Sequence, residues 1–182
     1  MAIAWTTVPA PAPIGALTVG MSDIGVVRIG FGAAPTDLAI AADRLGEPLV
    51  VDPERIAAAA GQLAEYLAGT RRAFTLPLDW RLTSGTQRRV LRALYDGVGY
   101  GRTVTYGELA ERSGAFPGAG HAGRAARGVG SIMGSNPIPV VVPCHRVLAA
   151  DGVGGFGGGR ATKEWLLALE GVLTPALDFD SP

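Results

Sequence analysis

Val140-Val141-Val142-Pro143-Cys144-His145-Arg146-Val147 holds the only cysteine of this 182-residue chain. Three consecutive valines predict a short buried strand. Pro143 ends its pairing, because proline has no N–H to offer a neighbouring strand. Cys144 therefore emerges where the backbone is pinned, with an imidazole beside it and a guanidinium next. A free thiol titrates near ~8.5, and a nearby imidazole or cation favours the thiolate, the nucleophilic form. A lone cysteine is more often a buried structural residue. Pro-Cys-His-Arg after an apolar strand reverses that preference, and Cys144 reads as a nucleophile.

Downstream lies the glycine-rich stretch Asp151-Gly-Val-Gly-Gly-Phe-Gly-Gly-Gly-Arg160. It lacks the Gly-Lys-Ser/Thr of a phosphate loop, and no dinucleotide fingerprint sits at a strand–helix junction. A loop approaching the cysteine closely is expected, with Phe156 as its one large side chain. Thr162 is expected to cap a last helix, Lys163 to Glu170, stopped by Gly171. Glu170 is the only carboxylate in that last turn, where the helix dipole disfavours it by roughly a few tenths of a kcal/mol. His145 is a candidate partner for it, and a simple exposed glutamate is the alternative.

Upstream, Ser84 with Gln87 and Thr105 with Glu108 both have capping-box spacing. They predict helices ending near Gly97 and Gly114, and a third helix runs from about Ala122 to Ser135, limited by Pro137. Two short helices of this kind suggest a helix-turn-helix. The connection Ala115–His121 is longer than such a turn normally is. Within the third helix, Gly128 and Gly130 each cost about 1 kcal/mol relative to alanine. Small residues let a helix backbone approach a flat partner, with Arg124 and Arg127 supplying charge; tight helix–helix packing is the equal alternative.

The first half reads as a small α/β unit without chemistry of its own. Ile14–Val19 and Ile24–Phe31 are expected strands around a Ser22-Asp23 turn, and Thr36–Leu45 is an expected helix stopped by Gly46. A second helix has Asp52 as N-cap, Pro53 at its first position, an apolar stripe of Ile56, Ala60, Leu63 and Leu67, and Gly69 past its end. Phe74–Trp80 alternates like an edge strand, the only kind that tolerates Pro77.

Composition bounds the rest. The chain is 48% apolar and 18% charged, with no run long enough to span a membrane and no basic-then-apolar leader. One cysteine permits no internal disulfide, and a working thiol points to a reducing compartment, the cytoplasm. Net charge is zero, but residues 1–80 carry 5 basic and 8 acidic side chains whereas residues 81–171 carry 11 and 6. The basic excess lies in the half that holds the cysteine, so an anionic partner stays open.

Pro143-Cys-His-Arg-Val147, Asn136-Pro-Ile-Pro139, Gly154-Gly-Phe-Gly-Gly158 and Val98-Gly-Tyr-Gly-Arg-Thr-Val-Thr-Tyr106 together resemble the O6-alkylguanine-DNA alkyltransferases, the methylated-DNA–protein-cysteine methyltransferases. The resemblance implies an N-terminal ribonuclease-H-like α/β domain over 1–80, a C-terminal winged-helix domain over 81–173 and a tail at 174–182. It implies a DNA repair protein that moves an alkyl group from guanine O6 (with O4-alkylthymine left open) irreversibly onto Cys144, once per molecule. His145 would act through a water as base, Glu170 would orient the imidazole, Asn136 would hold the turn, and Tyr106 would donate a proton to the departing O6. Arg127 would fill the stack vacated by a flipped nucleotide. Ala126 and Gly128 would face the minor groove, while Val147, Phe156 and Gly157 would contact the base.

The implied partner is duplex DNA carrying O6-alkylguanine, bound by a monomer with no cofactor and no membrane. Cooperative assembly on DNA is left open. One cysteine and two histidines exclude the zinc site of some relatives. Departures from the family pattern are an insertion of about seven residues, roughly Phe116–Ala122, Phe156 where tyrosine is common, and Thr86, Leu91 and Gly99 where Phe, Trp and Pro often stand. The rival readings are a non-catalytic lesion-binding relative, a winged-helix regulator and a cysteine hydrolase that turns over repeatedly.

Overall fold

A computed structural model describes residues 1–118 and 122–174 of the chain. Its first half is built on a four-stranded sheet of order β3-β2-β1-β4, with β1 Ile3–Pro9, β2 Ala16–Met21, β3 Val26–Phe31 and β4 Leu49–Val50. The two expected strands are β2 and β3, paired antiparallel with Val19 opposite Ile29. β1 was not legible in the sequence because Thr6 and Thr7 interrupt its apolar alternation. It pairs antiparallel with β2 and parallel with β4. Helices α1 Thr36–Leu45 and α2 Pro53–Leu67 pack on this sheet.

Both helices have the expected boundaries. Gly46 ends α1 in a left-handed conformation, φ 65°, which glycine adopts without a Cβ penalty. Asp52 caps α2 by accepting the Arg55 N–H at 3.1 Å. Asp52→Ala is expected to cost about 1 kcal/mol, read as a lowered urea midpoint. The apolar stripe of α2 is Ile56, Ala59, Leu63, Tyr66 and Leu67, so Ala59 replaces the expected Ala60 and a tyrosine joins the buried face. Phe74–Trp80 is not an edge strand. It makes one parallel bridge, Leu78 with Val26, because Pro77 offers only its carbonyl, to the Val26 N–H at 2.9 Å.

The second half contains α3 Gly85–Gly97, β5 Val104–Thr105, α4 Tyr106–Ser113, α5 Ala122–Gly134, β6 Val147–Leu148 and α6 Arg160–Leu169. The α4 capping box forms as expected: Thr105 Oγ1 accepts the Glu108 N–H and Glu108 Oε2 accepts the Thr105 N–H. The α3 box does not. Ser84 makes no side-chain cap, and the Gln87 amide instead reaches Ser135. Thr162 is likewise not a cap. α6 starts two residues earlier, at Arg160, with Gly159 before it at φ 92°, and Thr162 lies buried inside the helix.

α4 packs on α5, and α3 packs on both. α5 buries Ala125, Val129 and Met133 along one stripe. The expected insertion falls partly on residues 119–121, outside the described residues, as does most of the tail at 174–182. One apolar core runs through both halves, from Val19, Leu63 and Tyr66 to Leu91, Val142, Cys144 and Leu166. Among the described residues no helix is long and apolar enough to cross a membrane.

Candidate active site

The three valines before the cysteine are buried, but they form a turn rather than a strand. Asn136 causes this. Its Oδ1 accepts the Ile138 N–H at 3.0 Å and its Nδ2 donates to the Val142 carbonyl at 2.9 Å, closing the loop across itself. Val142 N–H also donates to the Ile138 carbonyl at 2.8 Å. Val140 is held at φ 74°, the only positive φ outside glycine among the described residues. A β-branched residue there costs about 1–3 kcal/mol and persists only where its surroundings over-determine it. Cys144–Arg146 then form a single 3₁₀ turn, with the Arg146 N–H on the Pro143 carbonyl.

Glu170, just past α6, is the hub behind the cysteine, and its side chain is fully buried. Oε1 accepts from His145 Nε2 at 2.9 Å, from Arg146 Nη2 at 2.9 Å and from the Tyr66 hydroxyl at 2.6 Å. Oε2 accepts from Arg146 Nε at 2.9 Å and from the Gly101 N–H at 3.2 Å. The His145–Glu170 contact is therefore present, and the exposed-glutamate alternative falls. Arg146, read in the sequence only as a neighbouring charge, is locked by Glu170 on one side and the Val98 carbonyl at 2.7 Å on the other.

The protonation states follow from this packing. Burial alone pushes the Glu170 carboxyl up, but hydrogen bonds from His145 and Arg146 together hold it well below the usual carboxylate range. Burial lowers the His145 imidazole despite Glu170 opposing the shift. A neutral imidazole facing an ionised carboxylate must carry its proton on Nε2. Nδ1 is then the free acceptor, and it is buried without a hydrogen-bond partner among the described residues.

The expected low thiol pKa is overturned. Burial pushes Cys144 up to about 11, outweighing the Asn136 hydrogen bond and the Lys163 charge that favour the thiolate. The thiol is thus resting and protonated at neutral pH. In the free protein its reaction with iodoacetamide should keep accelerating as pH rises past about 10, where an ordinary cysteine has levelled off.

Cys144 opens into a cavity of about 330 Å³ with Tyr106, Met133, Gly134, Phe156 and Gly157 on its walls. The half-buried Tyr106 hydroxyl lies 3.5 Å from the Gly155 carbonyl, and burial, then Cys144, keeps its phenol above the ordinary value. Gly154 passes so close that a Cβ would stand 3.0 Å from the Tyr106 hydroxyl, at a φ of 79°. Phe156 stands edge-on to Phe31 of β3, centroids 5.5 Å apart, so a ring from the first half backs the loop. Val147, expected at the base, is fully buried away from the cavity, and its carbonyl accepts from Lys163 Nζ at 2.6 Å. Among the described residues no group of His, Cys, Asp and Glu could hold a metal ion.

A broader apolar groove adjoins the cavity, lined by Tyr106, Gly123, Ala126, Arg127, Gly130 and Ala149. Arg127 is exposed on it. Gly128 does not line it. The place of its Cβ is 2.9 Å from the Phe116 ring, so the missing side chain serves packing of the turn before α5.

Residues 5–80 match a family model described as 6-O-methylguanine DNA methyltransferase, ribonuclease-like domain, and residues 85–172 match its DNA binding domain. The chain belongs to the 6-O-methylguanine DNA methyltransferase family. A methylated-DNA–protein-cysteine methyltransferase of Mycobacterium bovis is 40% identical over 170 residues, 91% of this chain and 92% of the relative. One of Mycolicibacterium paratuberculosis is 49% identical over 126 residues, 69% of this chain and 71% of the relative. The crystal structure of Mycobacterium tuberculosis OGT in complex with DNA superimposes with a TM-score of 0.71 at 35% identity, covering 92% of each chain. The O6-methylguanine-DNA methyltransferase of Pyrococcus kodakaraensis gives 0.62 at 25% identity, covering 92% of this chain and 99% of the other.

Two residues of this methyltransferase-family site escaped the sequence reading. Tyr66 comes from the half taken as support. Its signal was its place three residues after Leu63 on a buried stripe, because a buried phenol needs a polar partner. Lys163 is fully buried on α6, donating to the Val147 and Gly155 carbonyls. Burial pulls its ammonium down to about 8 against the opposing effect of Cys144. Its signal was a lysine on the same helix face as Leu166, Leu167 and Glu170.

Proposed function

We propose that the chain repairs O6-alkylguanine in duplex DNA by moving the alkyl group irreversibly onto the Cys144 sulfur. The observation that carries this reading is the buried Cys144, walled into a cavity with Tyr106 and followed directly by an imidazole whose Nε2 is committed to Glu170. His145 Nδ1 takes the thiol proton through a water. Sulfur forms its bond to the alkyl carbon as the carbon–O6 bond breaks, and the electron pair goes to the guanine oxygen. Tyr106 supplies a proton to that departing guanine, which balances the proton taken by His145. Glu170 stabilises the imidazolium formed on the way. No acyl intermediate arises, so no oxyanion hole is called for.

In this reading residues 1–80 are a ribonuclease-H-like domain and residues 81–173 a winged-helix domain, with α5 laid in the minor groove of DNA. The target nucleotide is extruded because a thiol cannot reach a stacked base. Arg127 fills its place, Ala126 keeps the helix slim beside it, and Phe156 with Gly157 receives the base. Asn136 holds the turn that presents the sulfur. The protein acts as a monomer, and a stable free thiol fits the reducing cytoplasm.

Stoichiometry tests the reading. With an excess of duplex carrying one O6-methylguanine, restored guanine should plateau at one per protein chain. Continued turnover would favour a hydrolase, and tight lesion binding without restoration would favour a non-catalytic relative. For Arg127→Ala, transfer from the duplex should fall at least tenfold while transfer from free O6-benzylguanine changes little. Equal losses on both substrates would remove Arg127 from the flipping step.

A further inference from the structure

We infer that Tyr66, from the N-terminal half, is a positioning residue of the transfer reaction: its hydroxyl orients the Glu170 carboxylate and thereby fixes which nitrogen of His145 carries the proton. This rests on the reading of Cys144 as the alkyl acceptor with His145 as its base. Tyr66 is fully buried at the end of α2. Its ring is wedged between Phe74, centroids 5.3 Å apart, and Tyr100 at 6.2 Å, so packing sets where the hydroxyl stands. From there the oxygen lies 2.6 Å from Glu170 Oε1 and 3.3 Å from His145 Nε2.

Proton accounting decides the direction of each bond. An ionised carboxylate only accepts, so the phenol must give its one proton to Glu170. What it turns toward Nε2 is then a lone pair, which is tolerated only if Nε2 bears hydrogen. The hydroxyl therefore works with Glu170 to select the Nε2–H tautomer and leave Nδ1 as the acceptor for the thiol proton. The other charged or titratable groups packed around this pair are Arg146, bound to Glu170, Lys163 of α6, Cys144 itself, and Tyr100, over whose ring Arg72 and Arg146 lie. None of them gives Glu170 a neutral donor that also touches the imidazole. The N-terminal half is thus a contributor to the proton relay and not only its scaffold.

The test is single-turnover methyl transfer from a saturating lesion duplex, followed against pH. Tyr66→Phe keeps the ring packing and should slow transfer about tenfold near neutral pH. With one donor fewer, Glu170 stabilises the imidazolium more, so the acid limb of the profile should move to higher pH. Site-specific 3-fluorotyrosine at position 66 keeps the hydroxyl and strengthens its donation, and should move that limb to lower pH. Tyr100→Phe removes a neighbouring hydroxyl that donates to the Leu169 carbonyl, and should leave the limb in place. In a Glu170→Gln background Tyr66→Phe should add no further shift. A wild-type rate and acid limb in Tyr66→Phe, or the same shift with and without Glu170, would overturn the inference while wild-type transfer still stands. Absence of transfer by the wild type would overturn it together with the reading beneath it.

Discussion

Glu170→Ala is expected to remove nearly all methyl transfer and to destabilise the fold by about 3–5 kcal/mol. The two effects share one cause. Glu170 holds both His145 and Arg146 behind the cysteine, and Arg146 is 8% exposed in its side chain. Removing the carboxylate leaves that guanidinium buried with the Val98 carbonyl and the Tyr100 ring but no counter-charge. It also frees His145 to take either tautomer and withdraws the charge that would stabilise an imidazolium, a loss of the size seen when a base loses its orienting carboxylate. Denaturant midpoints and single-turnover rates on the same preparation separate the two effects. A protein of unchanged stability with full transfer would contradict the account.

Acid should act on the same group with a definite sign. The Glu170 carboxyl titrates below its unfolded value, so its contribution is present above about pH 4.3 and is lost as pH falls through its folded value. His145 is also depressed, by burial, so stability is present above about pH 6.5 and declines as pH drops below it. The melting temperature of the wild type should fall from pH 7 toward pH 4. Below about pH 4.3, where the Glu170 contribution is lost, Glu170→Gln should show the shallower decline.

Asn136→Ala has the second-largest expected effect. The residue is 7% exposed, and its side chain bonds both the Ile138 N–H and the Val142 carbonyl. Truncation leaves the buried Ile138 N–H unpaired, at about 1–3 kcal/mol, and strips the Val142 carbonyl down to its remaining bond from the Cys144 N–H. It also releases Val140 from its left-handed conformation, so the turn relaxes and Cys144 moves. A displacement of about 1 Å at a reacting atom can cost about a hundredfold in rate. Transfer should therefore fall by about that factor even under conditions where the variant is folded, as read by single-turnover kinetics well below its melting temperature. A folded variant with wild-type rate would show that the turn does not depend on Asn136.

The legible parts of this molecule are those whose physics is local. Asp52-Pro53 starts α2 and the Thr105–Glu108 box starts α4 because each involves a few neighbouring residues. Cys144 and His145 were legible from their adjacency, and Glu170 from its unfavourable place in the last turn of a helix. Non-local contacts hid the rest. Val140–Val142 has the composition of a strand, but one amide from Asn136 folds it into a turn. The direction of the thiol shift depended on burial, which neighbouring charges in the sequence do not report. Tyr66 lies 79 residues from His145 and 104 from Glu170, and only the sheet and α2 together bring it to them.

The central claim is that Cys144 ends with the alkyl group on its sulfur. Intact mass and peptide mapping after incubation with excess duplex carrying one O6-methylguanine test it most directly. The account predicts a gain of one methyl group per chain, located entirely on the peptide that contains Cys144, with guanine left in the DNA. An unchanged mass, or a methyl group on any other residue, would contradict it.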